Sequence, residues 1–349
     1  MSIDTGVLLM GDSPVKELVE WAKRLEEWGY DTLWLADERF FREVYSSLTI
    51  CALNTQSLKM GTCVTDPFSR HPALTAMAIA TVDDVSDGRA ILGLGAGIAG
   101  FHELGIRSVR PAKALREAVG LVRALIQHKE VEFFGQTTKL ERAQLNFEPY
   151  RKDLPVFIAS NSPYGLRAAG EIADGVIVSS CGDGASLKST LSMVARGAQE
   201  SGRSISDLKV VARLNCCVSD DEEKARDAVR LSVVRTFLTY PGSLSVAGLG
   251  IPDTLITEIK STGYTHSVET LMRLAAKIPD SVIDASTLAG TVEGVADKLV
   301  GLIKAGMDEL IIRPSPVEGT GIEETLRRFA TEVMPKLKEK VSGRDIGGP

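Results

Sequence analysis

Residues 58–94 read LKMGTCVTDPFSRHPALTAMAIATVDDVSDGRAILGL, and this stretch decides the fold. Residues 58–64 form a short apolar run. Residues 71–85 follow as a helix with Pro72 in its first turn, and residues 89–94 are a second apolar run. A strand, a helix and a strand in so short a span make a βα unit with parallel strands. The same unit repeats outward. Strand-like runs occur at 6–10, 32–36, 155–159, 175–179, 208–218 and 309–313. Helical stretches occur at 15–28, 44–54, 113–128, 164–172, 187–201, 220–238, 292–305 and 322–337.

Eight such strands with helices between them predict an α/β fold, a closed (β/α)₈ TIM barrel, rather than an open doubly wound sheet. Polar, reactive-looking residues follow many different strands, whereas an open sheet would gather them at one switch point. Two stretches break the rhythm. Residues 129–154 read as a small hairpin inserted before the fifth strand, and 240–288 as two or three short helices between the seventh and eighth. Residues 1–340 are expected to form one domain, with 341–349 a polar, glycine-rich, frayed tail.

The bulk properties exclude several classes. The chain has 349 residues, 44% hydrophobic and 25% charged, with net charge −6. That balance argues against a nucleic-acid partner, which would call for a basic stripe. No apolar stretch reaches membrane-spanning length, and the first residues lack the basic segment of a signal peptide, so neither membrane nor export is expected. Five cysteines without a C-x-x-C pair fit a reduced, cytoplasmic chain. Four histidines, all far apart, predict no metal site.

The candidate chemistry sits just after the strands. Asp37 and Glu38 follow the second strand and read either as acid–base groups or as partners of Arg39, Arg42 or a following cap. The loop 61–72 packs hydroxyls, an acid, a base and two prolines at the barrel mouth, and also reads as a cap for the helix that follows. The glycines of 93–100 let backbone approach a flat or anionic ligand. Gly95 to Gly100 match G-x-G-x-x-G, but three βα units precede the match and the next clear helix starts only near Pro111, so it is not a dinucleotide fingerprint. Residues 160–165, SNSPYG, form a hydroxyl-rich turn that reads as an anion site or as a plain cap by Ser160 or Ser162. Cys181 is a conceivable nucleophile with no histidine close in sequence, and Cys216 and Cys217 read as packing residues.

Taken together, TDPFSRHPALTAMAIATVDDVSDGRAILGLGAG and LRAAGEIADGVIVSS resemble the bacterial-luciferase-like superfamily. Within it they are similar to the coenzyme F420-dependent methylenetetrahydromethanopterin reductases and their relatives. The resemblance implies a barrel, commonly dimeric, that holds F420 or FMN in its mouth. It implies a non-proline cis peptide at Cys63–Val64 backing the ring, with Thr65, Gly95, Ala96 and Gly97 beside it. It places the phosphate near Ser160, Asn161, Ser162, Tyr164 and Gly165, with Ser179 and Ser180 adjacent. Asp37, Glu38 and His102 are the catalytic candidates. The methanogen reductases carry acids where this chain has Leu8 and Ile98. The resemblance implies an oxidoreductase acting on a small molecule, either by hydride transfer or as an FMNH₂-dependent monooxygenase served by a separate flavin reductase. A non-catalytic flavin-binding barrel is the alternative from another class.

Overall fold

The computed structural model describes residues 3–97, 101, 103–239, 249–263, 265 and 267–342. In chain order its strands are β1 (Asp4–Leu9), β2 (Thr32–Leu35), β3 (Lys59–Thr62), β4 (Ala90–Gly95), β5 (Val131–Phe134), β6 (Lys139–Ala143), β7 (Val156–Ala159), β8 (Gly175–Ser179), β9 (Lys209–Val218), β10 (Leu288–Gly290) and β11 (Glu309–Pro314). Eight of them pair in parallel in the order β1-β2-β3-β4-β7-β8-β9-β11, and β11 returns to β1. The sheet is a closed barrel, as the eight apolar runs predicted.

A barrel strand is covered on both faces, so its sequence reads as a continuous apolar run rather than an alternation. The inner faces of the barrel strands, with the residues just past β2 and β3, supply a separate inner core: Leu8, Trp34, Ala36, Cys63, Ile91, Phe157, Ile177, Val211 and Ile311. Trp34 fills this interior because its neighbours give way. A Cβ on Gly6 would lie 2.6 Å from the indole, and one on Gly61 would lie 2.3 Å from it. Glycine on both flanking strands is therefore the steric complement of one large residue on β2.

The helices are α1 (Val15–Glu27), α2 (Val44–Leu53), α3 (Pro72–Val85), α4 (Pro111–Ile126), α5 (Pro163–Ile172), α6 (Gly184–Glu200), α7 (Glu222–Thr239), α8 (Asp253–Thr262), α9 (Val268–Ala275), α10 (Asp280–Ser286), α11 (Val292–Lys304), α12 (Ile322–Arg328) and α13 (Met334–Ser342). Their buried faces form the outer core against the barrel. Some boundaries move from the expected ones for local reasons. α4 begins at Pro111, whose ring suits a first helical position. α6 begins at Gly184 because Asp183 accepts from the Ala185 and Ser186 amides. The expected last helix is two, α12 and α13, joined by a π-helical turn at Phe329–Val333, and it extends to Ser342. Val341 and Ser342 of the expected frayed tail are thus helical, and the rest of that tail lies outside the described residues.

The insertion before the fifth barrel strand is the antiparallel hairpin β5–β6. Glu117 of α4 pins its turn by accepting from the amides of Gln136, Thr137 and Thr138. The second insertion contains α8, α9 and α10, and β10 pairs with the far end of β9 at Cys216–Val218. No helix among the described residues is long and apolar enough to cross a membrane.

Candidate active site

The C-terminal ends of the barrel strands open into a cavity of about 400 Å³. β3 and β4 build one wall. The peptide between Cys63 and Val64 is cis, as the resemblance implied. Both residues line the cavity with Gly95 and Gly97 of the next strand and loop. A Cβ on Gly95 would come within 2.5 Å of Val64 Cγ2, and one on Gly97, where φ is +59°, within 2.7 Å of Phe101. Glycine suits these two places, because it lets the backbone of this wall pack directly against Val64, Phe101 and Asp66. Thr65 stands behind it, fully buried, donating its hydroxyl to Asp37 Oδ2 at 2.7 Å. Its backbone ties the wall to β4, through Thr65 N to Gly93 O and Gly95 N to Thr65 O. Ala96 does not line the cavity.

The Cys63 thiol is neutral. Burial pushes it up to about 11, against the pull of the Arg213 charge. Cys181, fully buried under the mouth, is likewise held at about 11 by burial. Neither is a nucleophile near neutral pH. Cys216 and Cys217 are packed in the outer core.

The loop after β2 supplies the polar wall. Asp37 Oδ1 lies 3.2 Å from Arg39 Nη1, and the other side of that guanidinium pairs with Asp66. Arg39 is thus shared by two carboxylates, the pairing reading made for Asp37. Asp66 also accepts from the Phe68 and Ser69 amides and the Ser69 hydroxyl, each at 2.7 Å, which fixes the loop after β3. Glu38 lines the same wall. His71 caps α3 through Nδ1, so the cap reading of loop 61–72 holds beside the wall it builds.

At the far side, Ser160, Asn161 and Ser179 line the cavity. Asn161 Oδ1 accepts from the Ser179 amide at 3.0 Å and clips β7 to β8. Ser162 caps α5 by accepting from the Gly165 amide at 3.1 Å, so the plain cap reading applies there. A Cβ on Gly165 would sit 2.1 Å from Ser160 Oγ, which is why this turn needs glycine. Ser162, Tyr164, Gly165 and Ser180 do not line the cavity, and Tyr164 is 76% exposed. His102 and Ile98 lie outside the described residues. Leu8 lines the cavity floor.

Several lining residues were not singled out from the sequence. Asp66 enters the sequence reading only as the acid of the loop 61–72, and Arg213 is a single charge inside an apolar strand. Arg235, Thr236 and Thr239 come from α7, whose pattern reads as a covering helix. Among the described residues no group of three or more His, Cys, Asp and Glu side chains could hold a metal ion.

Fold and mouth together define a class: a (β/α)₈ barrel whose open end has one wall rich in glycine around a cis peptide and one polar wall. The chain belongs to the luciferase-like monooxygenase family, whose sequence profile matches residues 2–309. It is 31% identical over 335 residues to the 5,10-methylenetetrahydromethanopterin reductase of Archaeoglobus fulgidus, covering 95% of this chain and 99% of that protein. It is 29% identical to the same reductase of Methanolobus tindarius, over 94% of this chain and 99% of the relative. The solved structure of the coenzyme F420-dependent tetrahydromethanopterin reductase of Methanopyrus kandleri superposes with a TM-score of 0.81 at 26% identity, over 97% of this chain and all of that one.

Proposed function

We propose that the chain is an F420-dependent oxidoreductase that transfers a hydride to or from a small organic substrate in the barrel mouth. The observation that carries this reading is the cavity wall of Cys63, Val64, Gly95 and Gly97, built on the cis Cys63–Val64 peptide and on two glycines packed closely against their neighbours. The residues fit such a cofactor. Backbone of β3 and β4 would back the ring, and Ser160, Asn161 and Ser179 stand where a polar tail would leave it. When bound, the cofactor supplies the hydride chemistry, and the protein contributes position and electrostatics. Asp37 and Glu38 would provide polar contact with the reacting groups. Asp37 is positioned for this by Arg39 and Thr65.

The family's description as monooxygenase-like supports a second reading, oxygenation on FMN with a separate reductase. Fluorescence titration with F420 and FMN side by side tests both. Micromolar binding of F420 over FMN is expected, with oxygen-independent turnover. Tighter FMN binding with oxygen-dependent turnover would favour the second reading, and binding without turnover a carrier barrel. If neither cofactor bound, the proposal would fall.

Residues 1–340 are read as one working domain in a reducing, cytoplasmic setting, consistent with five buried, unpaired thiols. A homodimer is supported by α2 and α3, which present Ile50, Leu53, Leu74 and Met77 to the outside.

A further inference from the structure

Arg213 lies on β9 with its side chain in the cavity floor, in register with Ser179 of β8 and Ile311 of β11. The residue is only 9% exposed. Among the described residues its one hydrogen bond runs from Nε to Ser179 Oγ at 3.4 Å, and no carboxylate pairs with it. The contrast within the same cavity is Arg39, which is held between Asp37 and Asp66. A guanidinium has five donors and stays charged at any ordinary pH. Burying it against one neutral hydroxyl is costly, and among the described residues no carboxylate offsets the cost. In the closed strand order β9 stands diametrically across from β3, so Arg213 faces the Cys63–Val64 wall over the width of the cavity.

We propose that Arg213 is the receptor for an oxyanion, a carboxylate or phosphate, that the ligand carries into the floor of the barrel. This rests on the reading of the mouth as a ring-and-substrate site. The planar fork of the guanidinium can take two oxygens of such a group at once. Ser179 Oγ, already accepting from Nε, keeps its own proton to donate beside them. A substrate carboxylate and a phosphate on the cofactor tail share this chemistry, and the experiment separates them.

The full-length protein is compared with Arg213→Gln, Arg213→Lys and Arg213→Met. Inorganic phosphate and benzoate are the anion probes, read by thermal melting, and F420 and FMN are titrated by fluorescence. The wild type should melt higher with phosphate or benzoate in a saturable way. Arg213→Gln should weaken that response about 10- to 100-fold, with Arg213→Lys between. Without ligand, Arg213→Met should melt higher than wild type by about 2–4 °C, because an unpaired buried charge has gone. A merely structural arginine would give the opposite sign. A parallel loss of F420 or FMN affinity in Arg213→Gln puts the oxyanion on the cofactor. Unchanged cofactor affinity with a lost anion response puts it on the substrate. Wild-type anion response and cofactor affinity in Arg213→Gln would overturn the proposal, as would a wild type that ignores both anions while cofactor affinity is unaltered. If the wild type bound neither cofactor, the function proposed above would fail, and the anion comparison would still decide Arg213.

Discussion

Arg39 shows how much of the polar wall depends on one side chain. It is largely buried and neutralises two carboxylates, one of them the fully buried Asp66. Arg39→Met leaves both acids facing each other without a countercharge and should lower stability by about 3 kcal/mol in urea titration. Asp37→Asn should cost only about 1 kcal/mol, since Asp66 still holds the guanidinium. Equal urea midpoints for the two variants would show that the guanidinium is not shared. The thiols make a second residue-scale prediction. With Cys63 and Cys181 each at about 11 and all five cysteines buried, the native protein should not react with an aromatic disulfide reagent near neutral pH. Unfolding should release five equivalents. Reaction of one thiol in the native state would mean that at least one of the five is accessible. At this scale the sequence was partly legible. Asp37 stood out because it follows a strand. Asp66 and Arg213 did not, because their roles come from partners or strands far along the chain.

Elements were more legible than residues, because each is written locally. The period of the apolar positions, Pro at first helical turns and the hydroxyl caps place strands and helices close to where they fold. What local pattern could not convey is which helix faces are left uncovered by the barrel. α2 reads VYSSLTICAL, apolar nearly all round, which a helix on a monomer's surface does not need. With Ile50 and Leu53 it presents an apolar face, and neighbouring α3 adds Leu74 and Met77. The prediction belongs to this pair of helices. Light scattering should give twice the 37.5 kDa chain mass for the wild type. Leu53→Glu with Leu74→Glu should give the single-chain mass with unchanged circular dichroism. A double variant that keeps the wild-type mass would remove this face from the interface. The short β10 was also unexpected. It is legible only from its pairing with β9, which extends past the barrel.

The whole molecule divides its labour between the two ends of the barrel. The mouth carries the candidate site, and the closed end carries a charge cluster that has no place in the chemistry. There Lys209 bridges Asp4 at 2.5 Å and Glu309 at 2.9 Å, with Lys59 3.4 Å from Asp4. Burial raises Glu309 from its ordinary 4.5 despite Lys209. Burial draws Lys209 down, but Glu309 and Asp4 more than offset it and its value is raised. Asp4 is also burdened by burial, yet Lys209 and Lys59 hold it below its ordinary 3.8. The signs follow from linkage. Lys209 contributes stability that is fully present below its ordinary 10.5 and is lost as pH rises through the higher folded value. Asp4 contributes stability present above 3.8 and lost as pH falls through its lower folded value. Glu309 runs the other way, since the folded state favours its proton, so its ionisation weakens the fold as pH rises past 4.5. Lys209→Met removes the cation and leaves Glu309 buried without a partner. It should therefore melt clearly below wild type at about pH 8, by the equivalent of roughly 3 kcal/mol, and the two melting temperatures should converge as pH rises above 10.5 through the raised value of Lys209. Cofactor affinity should not change, because the mouth lies at the other end of the strands. Parallel melting profiles across that range, or a loss of cofactor binding in Lys209→Met, would show that the closed end is not the separate, purely stabilising part that the barrel's geometry makes it.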